Sequence, residues 1–175
     1  MGLLKKLFGR SSKSPEELYS RIRSMALNVR IEELGLTPDP KAPVYGVIME
    51  TGMGDAVATF LCMGDGTVSL YFSTGGGIIG AGQHADVRSA CLEMLGIVNE
   101  FAEDFLRASY PVSDFPMPED GEVFFYLLTI HGVYHQRAKE IELKERRHPF
   151  AALFNNCHVV MSEVRYAHQR MTRPN

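Results

Sequence analysis

The residues of this chain whose types and spacing could do chemistry gather between Ser73 and Asp86. Gly75-Gly76-Gly77-Ile78-Ile79-Gly80 has the spacing GxGxxG and follows an apolar, strand-like stretch. In a dinucleotide-binding unit such glycines let backbone amides and a helix N-terminus approach a pyrophosphate. Two features of the context oppose that reading. The stretch before the glycines belongs to a succession of hairpins instead of a parallel unit, and the next helical pattern begins only after Gly82-Gln83-His84. A tightly turned structural loop fits better than a nucleotide cradle. A looser version keeps Ser73, Thr74 and the amides of Gly75, Gly76, Gly77, Gly80 and Gly82 as a ligand-binding loop for a small anion near the start of that helix. A hydrolytic version adds His84 and Asp86 as base and orienter for a Ser73 or Thr74 nucleophile, which requires all of them within hydrogen-bond reach. Asp86 is equally explained as a favourable first-turn charge, and His84 as a capping or surface residue.

The other polar groups suggest less. Five of the six histidines, His131, His135, His148, His158 and His168, lie toward the C-terminus. Their spacing matches neither HExxH nor a Cys/His zinc pattern, so no metal or other cofactor is expected. Cys62, Cys91 and Cys157 stand alone in their segments, without a CxxC pair. They read as small buried apolar groups in a reducing compartment, and a cytoplasmic location is the expectation. The run Lys139–Arg147 alternates in sign and reads as solvated surface. With neither a basic excess nor interleaved aromatics, nucleic acid is not an expected partner.

A chain of 175 residues that is 45% hydrophobic and 22% charged has the composition of a folded protein of about one domain's length. Its net charge of −3 is unevenly spread, +2 over residues 1–40, −9 over 41–122 and +4 over 123–175. An acidic middle between basic ends suits either a solvated surface or complementarity between segments or subunits. Residues 1–14 form a short amphipathic arm with Leu3, Leu4, Leu7 and Phe8 on one face. The arm has neither the apolar length of a signal peptide nor, with Lys6, the residue a myristoylation signal requires. The longest uncharged run, Gly66–Ala85, is broken by glycines and is too polar to span a membrane.

Ser14-Pro15-Glu16-Glu17 is a helix start, and Leu18, Ile22, Met25, Ala26 and Val29 recur at helical spacing toward a stop at Gly35. Three strands follow at Val44–Glu50, Ala56–Met63 and Thr67–Ser73, and Asp65-Gly66 predicts a primed hairpin turn between the last two. A helix over Asp86–Arg107, strands at Val123–Ile130 and Val133–Leu143, and a helix from His148-Pro149 to near Met171 complete one α+β domain over residues 15–171, with a tail at 172–175. The expected sheet is largely antiparallel and five-stranded, with three helices in the order α-β-β-β-α-β-β-α. This element order resembles the layout of small dimeric secretion-chaperone domains and, more distantly, of profilin-like domains.

Two strands, Ala56–Met63 and Val123–Ile130, are apolar on both faces. Helices on both sides of the sheet could cover them, or a twofold-related copy could cover one side. In the second case Phe60, Val123, Phe125 and Leu127 are the interface candidates. The leading functional expectation is a non-catalytic protein-binding module of adaptor or small-chaperone kind, self-associating and engaging another polypeptide. The alternative is a small-anion-binding or hydrolytic protein built on Gly75–His84.

Overall fold

Ser14 begins the described part of the chain, residues 14–172 of a computed structural model. The arm expected over 1–14 therefore lies outside the described residues apart from Ser14, as does the tail beyond Thr172. The first helix, α1 (Pro15–Leu27), starts where its sequence dictates: the Ser14 hydroxyl accepts the Glu17 amide at 3.2 Å, and Pro15 has no amide to leave unpaired. It stops at Leu27, short of the expected end, and Gly35 instead closes a separate 3-10 turn over Ile31–Leu34.

Three antiparallel strands follow, β1 (Val44–Met53), β2 (Ala56–Met63) and β3 (Val68–Phe72). The turn between β2 and β3 is not the primed one. Only Gly66 takes a left-handed φ, 82°, while Met63 N donates to Thr67 O at 2.9 Å. This is a three-residue loop with a glycine at its bulge. Asp65 contributes through its carboxylate, which accepts from the amide and hydroxyl of Thr67, each at 2.9 Å.

The sheet is antiparallel but has seven strands, not five. A short strand inside the glycine loop, β4 (Gly77–Ile79), pairs with β3. Another, β5 (Tyr110–Val112), lies in the proline-rich connection. Glycine and proline composition reads as loop, and three residues are too few to show a period, so both strands exist only because a neighbour's free edge recruits them. The long strands β6 (Glu122–Thr129) and β7 (Gly132–Lys139) complete the order β4-β3-β2-β1-β6-β7-β5. The last strand ends at Lys139 because α4 (Glu140–Lys144) takes over the segment expected to extend it to Leu143.

Among the described residues there are five α-helices where three were expected. The long helix expected over Asp86–Arg107 breaks at Phe101 into α2 (Ala85–Glu100) and α3 (Ala102–Arg107), and α5 (Ala151–Thr172) closes the fold. His148 opens α5 by accepting the Phe150 amide on Nδ1 at 3.1 Å. None of these helices is long and apolar enough to cross a membrane.

Helices on both sides explain the two-sided apolar strands. On one face, α2, α3 and α5 cover Val47, Phe60, Val123, Phe125 and Leu127, and Phe125 meets the Phe150 ring at 5.1 Å between centroids. On the other, α1 and the segment carrying Val112 and Phe115 cover Ile48, Leu61, Phe124, Tyr126 and Leu128. Asn99 of α2 ties helix to sheet by acting as a strand partner. Its side chain accepts from Val44 N and donates to Val44 O, both at 2.9 Å.

Candidate functional site

The residues singled out between Ser73 and Asp86 divide between the two ends of the β3–β4 hairpin. At one end Ser73 is a strand residue in all but assignment: its hydroxyl accepts from Val57 N at 2.8 Å and its amide donates to Val57 O at 2.9 Å. Thr74 is exposed beside it, and Gly75 lies against Pro15 of α1. At the other end Gly80 N donates to the Ser69 hydroxyl at 3.2 Å, and Gly82 packs so closely on Gly66 that a Cβ would fall 1.8 Å from its carbonyl oxygen. His84 precedes α2 there with its side chain outside the cap, and Asp86 pairs with Arg170 at 3.0 Å. The strand between the two ends keeps Ser73 and Thr74 from His84 and Asp86, so base and nucleophile do not meet.

The loop amides are also partly committed, since Gly75 N donates to Phe72 O at 3.0 Å and Phe72 N to Gly76 O at 3.1 Å. What Gly75, Gly76 and Gly77 do line is a shallow apolar recess of about 350 Å³ shared with Leu18, Tyr19 and Ile22 of α1. The four interface candidates, Phe60, Val123, Phe125 and Leu127, are buried beneath this chain's own helices. The histidines are dispersed, and among the described residues no group of three His, Cys, Asp or Glu is placed to hold a metal.

The larger concavity lies elsewhere, a cavity of about 490 Å³ between the far end of the β1–β2 hairpin and α5. Ala58 of β2 and Leu70 and Phe72 of β3 make its floor, with Met53 and Met161 at the sides. One wall is the loop 119–121, tied to the hairpin and to α4: Asp120 Oδ1 accepts from Gly54 N at 2.7 Å, Gly52 O from Gly121 N at 3.3 Å, and Gly121 O from Glu140 N at 2.9 Å. Gly52 has to be glycine, because a Cβ there would stand 1.8 Å from the Glu119 carbonyl oxygen. The opposite wall is α5, which presents His158, Met161 and Arg165 on one face at the i, i+3, i+7 spacing of a helix.

The polar rim is unequal in its commitments. Glu140 pairs with Lys144 at 2.9 Å, and Asp120 is engaged by the Gly54 amide. Arg165 is exposed and contacts its own helix, Nε to Met161 O at 3.4 Å. His158 is half-buried, its ring edge-on to Phe154 with centroids 4.4 Å apart. Burial, reinforced by the Arg165 charge and opposed by Glu140, holds its imidazole below the ordinary histidine range, so at neutral pH it is an uncharged polar group. An apolar floor with a few polar groups at the rim can hold a ligand and orient it. Sequence reasoning weighed His158 as a metal ligand, took a surface or interface position as its default, and did not single out Arg165. The available signal was their shared helical face, but nothing local tells which strands that face meets.

No protein-family model matches the chain, and no curated protein or solved structure is similar enough to it to count as a match.

Proposed function

We propose that this protein is a non-catalytic binding protein whose ligand is a small molecule with a substantial apolar part, held in the cavity between the β1–β2 hairpin and α5. The observation that carries the reading is the cavity itself. Its volume of about 490 Å³ falls in the range of small-molecule sites, and such sites combine apolar walls with a few placed polar groups. A catalytic reading would need a nucleophile, its base and an orienting group in hydrogen-bond contact. His158, the one imidazole at the rim, instead meets the edge of Phe154.

The polypeptide-binding, self-associating module expected from the sequence is the second reading. It is favoured by an apolar trough of about 280 Å³ between the α2–α3 joint and the start of α5. On the trough Ile97 and Phe101 are 41% and 49% exposed, and together they offer an apolar contact for a partner.

One sample separates the two. Native mass spectrometry of the gently purified protein, followed by calorimetric titration with a neutral alcohol such as decanol, reads the cavity, and light scattering reads the mass. A retained molecule or saturable one-to-one decanol binding, abolished by narrowing the cavity with Ala58→Leu or Met161→Trp, is the expected result. A ligand-free dimer that ignores decanol, and becomes monomeric on Phe101→Glu, would overturn it in favour of the second reading.

A further inference from the structure

The recess beside α1 lies where the described chain begins. It is lined by Pro15, Leu18 and Ile22 of α1 and by Gly75, Gly76 and Ile79 of the glycine loop. Leu18 and Ile79 are 42% and 39% exposed, so apolar surface faces water along it. Residues 1–13, ahead of Ser14, bring the matching chemistry by sequence. They carry Leu3, Leu4, Leu7 and Phe8 together with Lys5, Lys6, Arg10 and Lys13 and no carboxylate, a charge of +4 against −7 for the rest of the chain. Glu16 and Glu17 stand exposed in the first turn of α1, between the lining residues Pro15 and Leu18. Reach is no obstacle. Phe8 is separated from Ser14 by about 20 Å of chain even at full extension, and Pro15 itself lines the recess.

We propose that this recess is the seat of the chain's own N-terminal segment, with apolar side chains from the stretch Leu3 to Phe8 resting on Leu18, Ile22 and Ile79 and the basic residues set toward Glu16 and Glu17. The proposal does not rest on the cavity beside α5 being a ligand site. A tether this short supplies an effective concentration on the order of 1 mM, so a contact of only about 0.5 mM strength keeps the segment seated about two-thirds of the time. The same segment of a second copy offers the same side chains but lacks the tether, and at lower protein concentrations it loses the competition. Opposite charge adds a weak attraction that shrinks as salt is added.

The test uses the full chain, its methyl groups read by NMR in the presence of a neutral soluble nitroxide that broadens whatever water can reach. In the wild type the Leu18 and Ile79 methyls are expected to be shielded. In Leu7→Ser/Phe8→Ser their broadening should rise about threefold, while that of Ile141, 57% exposed on α4, stays as it was. Leu18→Lys, an exposed change checked for retained folding by circular dichroism, should send the Leu7 methyls to the shifts of an unstructured peptide. Unchanged broadening in the double variant would overturn the proposal: high in both proteins, it means an open recess, and low in both, another occupant. Leu7 methyls indifferent to Leu18→Lys would overturn it too. Shielding that fades on dilution, in step with loss of a dimer in light scattering, would give the seat to the segment of a second copy and overturn the intramolecular contact.

Discussion

Glu50 lies in the middle of β1 with a fully buried side chain, and its partner Arg23 comes from α1 with a side chain 12% exposed. The two form a bidentate pair, Nε to Oε1 at 2.6 Å and Nη2 to Oε2 at 2.8 Å. Arg23 also donates to the carbonyls of Phe115 and Pro116 at 2.9 and 2.8 Å. One guanidinium thus pins α1, the sheet and the proline-rich loop together. Thr59 donates to Glu50 at 3.2 Å and shares its hydroxyl with Tyr19 at 2.9 Å. Burial, then the Glu50 charge, pushes the Tyr19 phenol up to about 12, so it stays a neutral hydrogen-bonding group. Arg23→Met leaves Glu50 buried with Thr59 as its remaining side-chain partner, and breaking a buried pair from one side costs about 3–5 kcal/mol. We expect about 3–4 kcal/mol for this variant, because Pro116 O keeps the Tyr126 hydroxyl as a partner at 2.8 Å. At this chain length that is a melting-temperature drop of about 10 °C. The double variant Arg23→Met/Glu50→Leu removes both charges and should recover most of the loss, giving a coupling of about 2 kcal/mol or more. Urea unfolding of the wild type, both single variants and the double variant measures this, with unchanged m-values certifying the comparison. Single variants within about 1 kcal/mol of wild type, or a double variant as damaged as the sum, would refute the argument.

Asn99→Ala should cost about 2 kcal/mol in the same assay, because it strips both polar backbone groups of Val44 of their partner at 2.9 Å; a loss under about 0.5 kcal/mol would mean that water replaces the amide. His135 is enclosed by the rings of Tyr110, Phe124 and Tyr126, and burial, with Arg137 adding, lowers its imidazole to about 4. The unfolded chain, with an ordinary value near 6.5, therefore binds the proton first, and stability on the order of 3 kcal/mol present above pH 6.5 is lost as pH falls toward 4. His135→Phe should flatten that part of the pH–stability curve, and an unchanged slope would exclude His135 as its source. Gly77→Val sets a Cβ 2.4 Å from the Leu70 carbonyl oxygen at a φ of 140°; it should lower stability by about 2 kcal/mol or more and leave decanol affinity intact. Lost decanol binding at unchanged stability would return the glycine loop to the role of ligand site.

Much of the frame was legible in the sequence because short-range physics writes it there. Ser14 and Pro15 start a helix through amides within one turn, and β2 has the bounds that its two-sided, largely apolar run predicted. The helical spacing of Val87, Cys91, Met94, Leu95 and Val98 likewise reports which side of α2 is buried, whereas the alternation of Val68, Leu70 and Phe72 with Ser69 and Tyr71 suggests a wetter face on β3 that α1 covers, leaving Ser69 and Tyr71 buried too. The two-sided strands announced that both faces of the sheet need cover, and could not say whose helices supply it.

That choice belonged to the tertiary structure, because it is made between residues far apart in sequence. Once α2 and α5 lie side by side on the sheet, Phe125 and Leu127 are core, and the surface they seemed to offer a second copy is gone. The edges of β3 and β7 recruit β4 and β5 from segments whose glycines and prolines read as loop. Arg23 finds Glu50 across 27 residues and Asn99 finds Val44 across 55, contacts that no local propensity encodes. The cavity is the same case. Ala58, Phe72, Asp120 and Arg165 come from four elements, and none of them is unusual in its own segment. Sequence by itself determined the elements and their buried sides, since those follow from neighbours within a few residues. The site arose only where the ends of those elements met, since its shape depends on the register and crossing of strands and helices that the chain brings together from a distance.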